Sequence, residues 1–173
     1  MPRPRRRLPS NRFWFWTGVA TLVILRVLTY SHASNQRDFS VPSLRDGPCR
    51  VVRVLSGNQL VVVQDAAQGE VIVHLLSTQT PPAGDPLFEQ AKRFTAAFLD
   101  GDAVRLQLDN HRLDGAGRYL AYVECDGEQL NEALLSVGLA RFYAFPGNSA
   151  SIDRRLKEAE AFAQAERLGL WRQ

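Results

Sequence analysis

The side chains that could bind zinc through sulfur or imidazole are few in this 173-residue sequence, and they are widely spaced. The two cysteines, Cys49 and Cys125, and the three histidines form no cluster at metal-ligand spacing, which excludes a zinc site. His74 falls at a strand position, where a histidine is usually structural. Arg118 follows the turn at 114–117, where an arginine is usually solvated or ion-paired. The residues alone therefore predict no active site, and any chemistry depends on the elements that bring these side chains together.

The stretch 114–143 predicts a turn, a strand, a short helix and a second extended segment. Its two glycines suit a tight turn, residues 118–125 alternate as in a strand, and 129–137 has the apolar spacing of a helix. GRYLAYV followed by DGEQLNEALLSVGLA resembles the last barrel strand and second helix of the thermonuclease family, the proteins similar to staphylococcal nuclease. The resemblance covers about 49–171.

Upstream of this stretch, turn-bounded runs rich in β-branched residues predict further strands. Local periodicity alone gives an α+β fold dominated by β. The resemblance implies more, namely a five-stranded OB-fold barrel with three helices over 49–173. The strands predicted before 118–125 are 49–55, 59–64, 70–76 and 103–108. The predicted helices are 87–99, 129–137 and 151–167.

The first 48 residues predict a tail, an anchor and a linker. Residues 1–12 hold five arginines and no acid, and 13–30 is apolar except for Arg26. This pattern predicts a signal-anchor or transmembrane segment with the tail in the cytoplasm and the domain outside, periplasmic or extracellular. The alternative is a signal peptide cleaved near Ala33, which would release a secreted domain. Residues 31–48 are polar without periodicity and predict a linker.

The resemblance also implies where a nuclease site would lie. In the thermonuclease family two aspartates hold a calcium ion, a glutamate helps to activate water, and two arginines bind the scissile phosphate. The aspartate positions fall here on Asn58 and Gln79, and the glutamate position falls on Pro82. The arginine positions fall on His74 and Arg118, and only Arg118 keeps the family's residue type. This predicts a degenerate site with no cofactor, because amides and a proline bring no charge to a divalent cation.

Two function hypotheses stay open. The first is a membrane-tethered domain that has lost hydrolysis and binds a protein, a peptide or a polyanion. Residues 49–173 hold 13 Lys and Arg against 16 Asp and Glu, and this net negative charge disfavours nucleic acid. The second is an active calcium-dependent nuclease, acting on DNA or RNA, in which Asp85 and Glu89 replace the lost acids. Whether either carboxylate points into the pocket beside Arg118 discriminates between the two.

An oxidising compartment would permit the two cysteines to pair. The resemblance places Cys49 at the start of the first strand and Cys125 at the end of the fifth, which an OB barrel keeps apart. We therefore expect no disulfide between them.

Overall fold

The computed structural model describes residues 43–65, 69–99, 103–145 and 149–172, without the side chains of 109–112. All of them belong to the compact unit 41–173. The predicted tail, the predicted anchor and the first part of the predicted linker lie outside the described residues. Within the described ranges, no helix has the length and apolar character needed to cross a membrane.

Eight strands, three α-helices and a terminal 3₁₀ turn make up the described part of the chain. The strands are β1 Gly47–Ser56, β2 Gln59–Val63, β3 Val71–Leu75, β4 Thr78–Gln79, β5 Ala103–Leu113, β6 Tyr119–Cys125, β7 Glu128–Gln129 and β8 Arg141–Phe142. The helices are α1 Phe88–Phe98, α2 Leu130–Ser136 and α3 Ala150–Ala165, and the 3₁₀ turn is Gly169–Trp171.

Five of these strands close into a barrel. The order β3-β2-β1-β5-β6 is antiparallel throughout, and a parallel pairing of β3 with β6 closes the ring. The prediction of a five-stranded closed barrel with three helices is thus confirmed. The pairs β6–β7 and β4–β8 are two-residue additions outside the ring, too short to leave a periodic signal in the sequence.

The strands bury apolar side chains, on alternate positions in β3 and at nearly every position in β2 and β6. In β3 the side chains of Val71, Val73 and Leu75 are buried and that of Ile72 is exposed. Helix α2 packs against β6 and α3, and α1 packs against β1. Leucines from the strands and two of the helices fill a common core, which holds the barrel and helices together. Those with less than 2% exposure include Leu60, Leu75, Leu106, Leu134 and Leu156.

The folded unit starts upstream of the predicted strand boundary at residue 49. Strand β1 begins at Gly47, and the Leu44 side chain is fully buried in the core. The buried Gln64 side chain accepts a hydrogen bond from Arg45 N (2.9 Å) and donates to Arg45 O (3.0 Å) and Pro48 O (3.2 Å). The segment 43–48 is therefore fixed to the barrel, although its composition is that of a linker.

Strand β5 lies between the two cysteines. Cys49 is paired with Val104 of β5, and the neighbouring Arg105 is paired with Glu124, next to Cys125 in β6. Two interstrand spacings of about 4.8 Å put such residues near 10 Å apart, beyond the reach of a disulfide. Both thiols are free and buried, and burial raises the pKa of Cys49 to about 12.

Candidate functional site

A pocket lies where β3 and β6 run parallel and close the barrel. His74 in β3 is opposite Leu120 in β6, and Arg118 precedes Leu120 by two residues, on the same face of the sheet. These side chains line a pocket of about 340 Å³, with Tyr143 and Phe145 on its wall. This volume is at the lower end of the range for small-ligand sites.

The β1–β2 turn reaches this pocket through Asn58. The turn packs closely against its neighbours, as shown by the position of Gly57. A Cβ on this residue would lie 2.8 Å from both Ala91 and Thr80. The hydroxyl of Thr95 in α1 also donates to Gly57 O (2.7 Å). Helix α1 thereby sets the position of Asn58, which is only 7% exposed.

The amide group of the Asn58 side chain is fully engaged in structural hydrogen bonds. Its Nδ2 donates to Thr78 O at 2.8 Å, and since a carbonyl can only accept, this bond fixes the orientation of the amide. Its Oδ1 then accepts from the hydroxyls of Ser56 (3.1 Å) and Thr80 (3.0 Å). Both lone pairs of this oxygen are in use, so it has none to offer a metal ion.

Gln79 and Pro82 are both exposed. Gln79 lies in β4, paired with Arg141 of β8, and its side chain lines the rim of the pocket. Pro82 does not line the pocket, and its carbonyl accepts a hydrogen bond from Asp85 N (3.0 Å) in the turn before α1. Of these two family positions, only Gln79 reaches the pocket.

Arg118 is ion-paired across the turn that precedes β6. Its Nε donates to Asp114 Oδ2 at 2.6 Å, while Asp114 Oδ1 accepts from the backbone N–H groups of Ala116 and Arg118, both at 2.9 Å. Partial burial opposes ionisation of Asp114, but the backbone and side-chain hydrogen bonds from Arg118 hold its pKa below the usual value. Sequence reasoning missed Asp114 as a site residue; its spacing of four from Arg118 across a glycine turn was the available signal.

His74 is neutral at pH 7. Burial is the main cause that lowers its pKa, the positive charge of Arg118 lowers it further, and Asp114 opposes this. Its Nε2 lies 3.4 Å from Asn58 Nδ2, and the direction of this contact depends on whether Nδ1 or Nε2 carries the proton. That Nδ1 is buried and has no hydrogen-bond partner among the described residues. This nitrogen has almost no accessible surface, so the open pocket does not reach it.

Neither substitute acid named from the sequence lines the pocket. Asp85 Oδ1 accepts a hydrogen bond from Leu87 N (2.8 Å), in the turn that leads into α1. Glu89 lies in the first turn of α1 and is exposed. The carboxylate that does line the pocket is Asp114, already paired with Arg118.

Calcium prefers six to eight oxygen ligands with several carboxylates among them. Within the described residues there is no group of three or more His, Cys, Asp or Glu that could hold a metal ion. The amide oxygen of Asn58 is saturated, and Asp114 neutralises Arg118. The side chains of this pocket therefore do not fit a calcium ion.

A closed five-stranded barrel of this topology defines an OB-fold domain. Residues 72–173 match the family model of the staphylococcal nuclease homologues, and the chain belongs to that family. It is 30% identical over 164 residues to the thermonuclease of Staphylococcus intermedius, over 90% of this chain and 96% of that protein.

Two further relatives support the same family. The thermonuclease of Staphylococcus hyicus is 26% identical over 159 residues, or 88% of this chain and 92% of the relative. The endonuclease YncB of Bacillus subtilis (strain 168) is 32% identical over 126 residues, or 69% of this chain and 59% of the relative. The resemblance drawn from the sequence is therefore confirmed, and the chain is similar to proteins named as nucleases.

Proposed function

We propose that the chain is a membrane-tethered, extracytoplasmic domain of the nuclease family that lacks calcium-dependent hydrolysis and binds a ligand in the pocket beside Arg118. The observation that carries this proposal is the donor set of the pocket. Among the described residues that line the pocket, the one carboxylate is that of Asp114, and it is ion-paired with Arg118. A metal-dependent nuclease needs an ion that activates water and neutralises the scissile phosphate. The described residues of this pocket offer such an ion no group of carboxylates.

One of the family's two phosphate-binding arginines is replaced by His74, which is neutral at pH 7. A permanent guanidinium fork would stabilise the charge that develops on a phosphate, whereas a neutral imidazole supplies a single N–H. The intact barrel and the pocket suit binding, and the altered side chains remove the groups that hydrolysis needs.

The tether rests on the N-terminal sequence. An apolar run at 13–30 follows five arginines, which favours insertion with the tail in the cytoplasm. Protease added outside spheroplasts should cut the linker ahead of the barrel and spare the cytoplasmic tail. Protection of the whole chain would contradict export. A fragment starting near Ser34 in untreated cells would indicate a cleaved signal.

The names of the relatives favour a second candidate, an active calcium-dependent nuclease with relocated acids. It requires Asp85 or Glu89 to reach the ion. Asp85 instead bonds a backbone N–H at the start of α1, and Glu89 lies on an exposed helix turn. The geometry therefore favours the binding module.

Two measurements on the full chain in lipid nanodiscs test the proposal. Calorimetry should detect no calcium binding, and fluorescent single-stranded DNA and RNA should not be cleaved above buffer when calcium is added. The thermonuclease of Staphylococcus intermedius serves as the positive control. Calcium-dependent cleavage that Asp85→Asn or Glu89→Gln abolishes would overturn the proposal and establish the second candidate.

Restoring the family's groups provides the matched gain-of-function test. The combined variant carries Asn58→Asp, Gln79→Asp, Pro82→Glu and His74→Arg. We expect it to bind calcium before it shows any cleavage, because an ion can bind before water and phosphate are correctly positioned. Removing one well-placed electrostatic group commonly lowers a rate by about 10²–10³-fold, so partial restoration leaves activity low.

A further inference from the structure

The outer face of strands β1–β3 is apolar at positions where a solvated sheet face is normally polar. Val61 of β2 is paired with Ile72 of β3, and both lie on the outer side, because their neighbours along each strand fill the core. Val63 is two positions from Val61 and therefore lies on the same side. Ile72 is 40% exposed, and Val52, at the irregularity in the β1–β2 pairing, is 37% exposed. Antiparallel sheets with one solvated face usually alternate apolar and polar side chains, so this face departs from the usual pattern.

The same three strands carry positive charge and no acid. They contain Arg50 and Arg53, whereas residues 49–173 as a whole contain 16 Asp and Glu. Arg50 is exposed, is paired with Val63 of β2, and forms no ion pair with a described residue. Arg53 is ion-paired at 2.8 Å with Glu70, which immediately precedes β3. The outer face of β1–β3 therefore combines exposed apolar side chains with an arginine whose charge no described residue compensates.

The length of chain between this face and the predicted anchor limits how far the barrel can lie from a membrane. The apolar run ends at Tyr30, and twelve residues separate it from residue 43, the first that the structure describes. Twelve residues span at most about 43 Å. The tether of the proposed function would hold the barrel within that distance of the bilayer. Such confinement raises the effective concentration of lipid, so a contact too weak to hold a free domain becomes populated.

We propose that the outer face of β1–β3 docks on the membrane surface, with Val52 and Ile72 in the interfacial region and Arg50 on the headgroup of an anionic phospholipid. Arginine suits this position, because its stem can lie along apolar groups while its guanidinium binds a phosphate. A second copy of the chain suits the face less well, since a two-fold contact would bring like charges to one interface. The inference rests on the tether of the proposed function and names the partner of this face.

Fluorescence quenching of the full chain in nanodiscs tests the docking. A fluorophore is attached through Ile72→Cys or, as the matched control, through Phe162→Cys, a 56% exposed position on α3, which packs against α2 and β8. The native thiols are buried, and burial raises the pKa of Cys49 to about 12, so they should label slowly. The discs contain phosphatidylcholine alone or mixed with phosphatidylglycerol, with a nitroxide on the headgroups as the quencher. We expect stronger quenching at residue 72 than at residue 162, and only in discs that contain phosphatidylglycerol.

A charge reversal and added salt test the role of the arginine. Arg50→Glu should lower the ratio of docked to free barrel by about 5- to 25-fold, since one basic side chain near an anionic surface contributes about 5-fold. Arg154→Glu is the matched control, because it makes the same charge change on α3, where the Arg154 side chain is 76% exposed. About 1 M NaCl, where the Debye length is about 3 Å, should also release the label from the quencher, and it keeps the test decisive if Arg50→Glu fails to fold.

The outcomes separate this inference from the proposed function. Equal quenching at the two labels, equal quenching with and without phosphatidylglycerol, or quenching that neither Arg50→Glu nor salt reduces would overturn the inference alone. Shielding of the residue-72 label from aqueous iodide only in discs that hold two chains would assign the face to a second copy, and would overturn it as well. A chain that dissociates from the discs would refute the tether. In that case, flotation with anionic vesicles that Arg50→Glu abolishes would still support this face, and flotation that the variant leaves unchanged would overturn it.

Discussion

Replacing Asn58 with the family's aspartate should destabilise the barrel. In Asn58→Asp, the group that donates to Thr78 O at 2.8 Å becomes a carboxylate oxygen, which cannot donate. The bonds from Ser56 and Thr80 to the other oxygen can persist. A buried carbonyl left without its donor costs about 1–3 kcal/mol, and the repulsion between two oxygens at this distance adds to it. We expect a loss of about 3 kcal/mol, which for a domain of this size lowers Tm by roughly 10 °C.

Unfolding by urea, followed by circular dichroism at pH 8 and pH 5, measures this effect. The introduced carboxylate should have a raised pKa, because it is buried and faces a carbonyl. A raised folded-state pKa means that the stability it contributes is present at low pH and is lost as pH rises, so the deficit should shrink at pH 5. Gln79→Asp, at an exposed position, is the matched control and should change stability by less than about 0.5 kcal/mol. An Asn58→Asp protein as stable as the parent at pH 8 would show that the amide is not a structural group.

Three further outcomes are expected. The pKa of His74 is lowered in the folded state, so the unfolded chain takes up the proton first. The free energy of unfolding should therefore fall as pH drops below about 6.5. In His74→Gln, urea unfolding should show a flatter pH–stability curve in this range. Gly138→Ala should destabilise the chain by more than about 1 kcal/mol, since Gly138 has a φ of 69° and a Cβ there would lie 2.3 Å from Leu168 O. Gly115→Ala, which meets nothing within 4 Å, is its control in the same thermal melt. A chain shortened to begin at Cys49 should unfold at least about 2 kcal/mol more easily in urea than one that begins at residue 43, because it loses the buried Leu44.

The barrel could be predicted because its signals are local and repeated. Alternation in β3 and the apolar spacing of α2 each mark an element within ten residues, and the glycine turn at 115–117 marks the start of β6. Closure of the ring between β3 and β6 joins residues about 46 apart in sequence, such as His74 and Leu120. No local pattern shows that pairing, and it came only from the family resemblance.

The sequence predicted which positions form the site, but it did not predict which residues their side chains contact. Sequence reasoning brought His74 and Arg118 to one site, and the structure places both in one pocket. It took Asp114 as a turn residue only, because a carboxylate before two glycines is common in turns. It also interpreted Asn58 as a metal position that had lost only its charge, whereas the amide forms hydrogen bonds with side chains and backbone from two other segments. Such sets depend on tertiary contacts and leave no periodic trace.

The attachment of the segment 43–48 has a mechanical consequence. A pull on the chain from residue 42 reaches the barrel first at Leu44 and at the Gln64 side chain, and then at β1. Because β1 is hydrogen-bonded on both sides, to β2 and to β5, tension along this strand loads its backbone hydrogen bonds together in shear. Strands loaded in this way resist extension more than strands that are unzipped one bond at a time. The segment 43–48 therefore transmits tension into a strand that is paired with two neighbours, and not into a free end of the barrel.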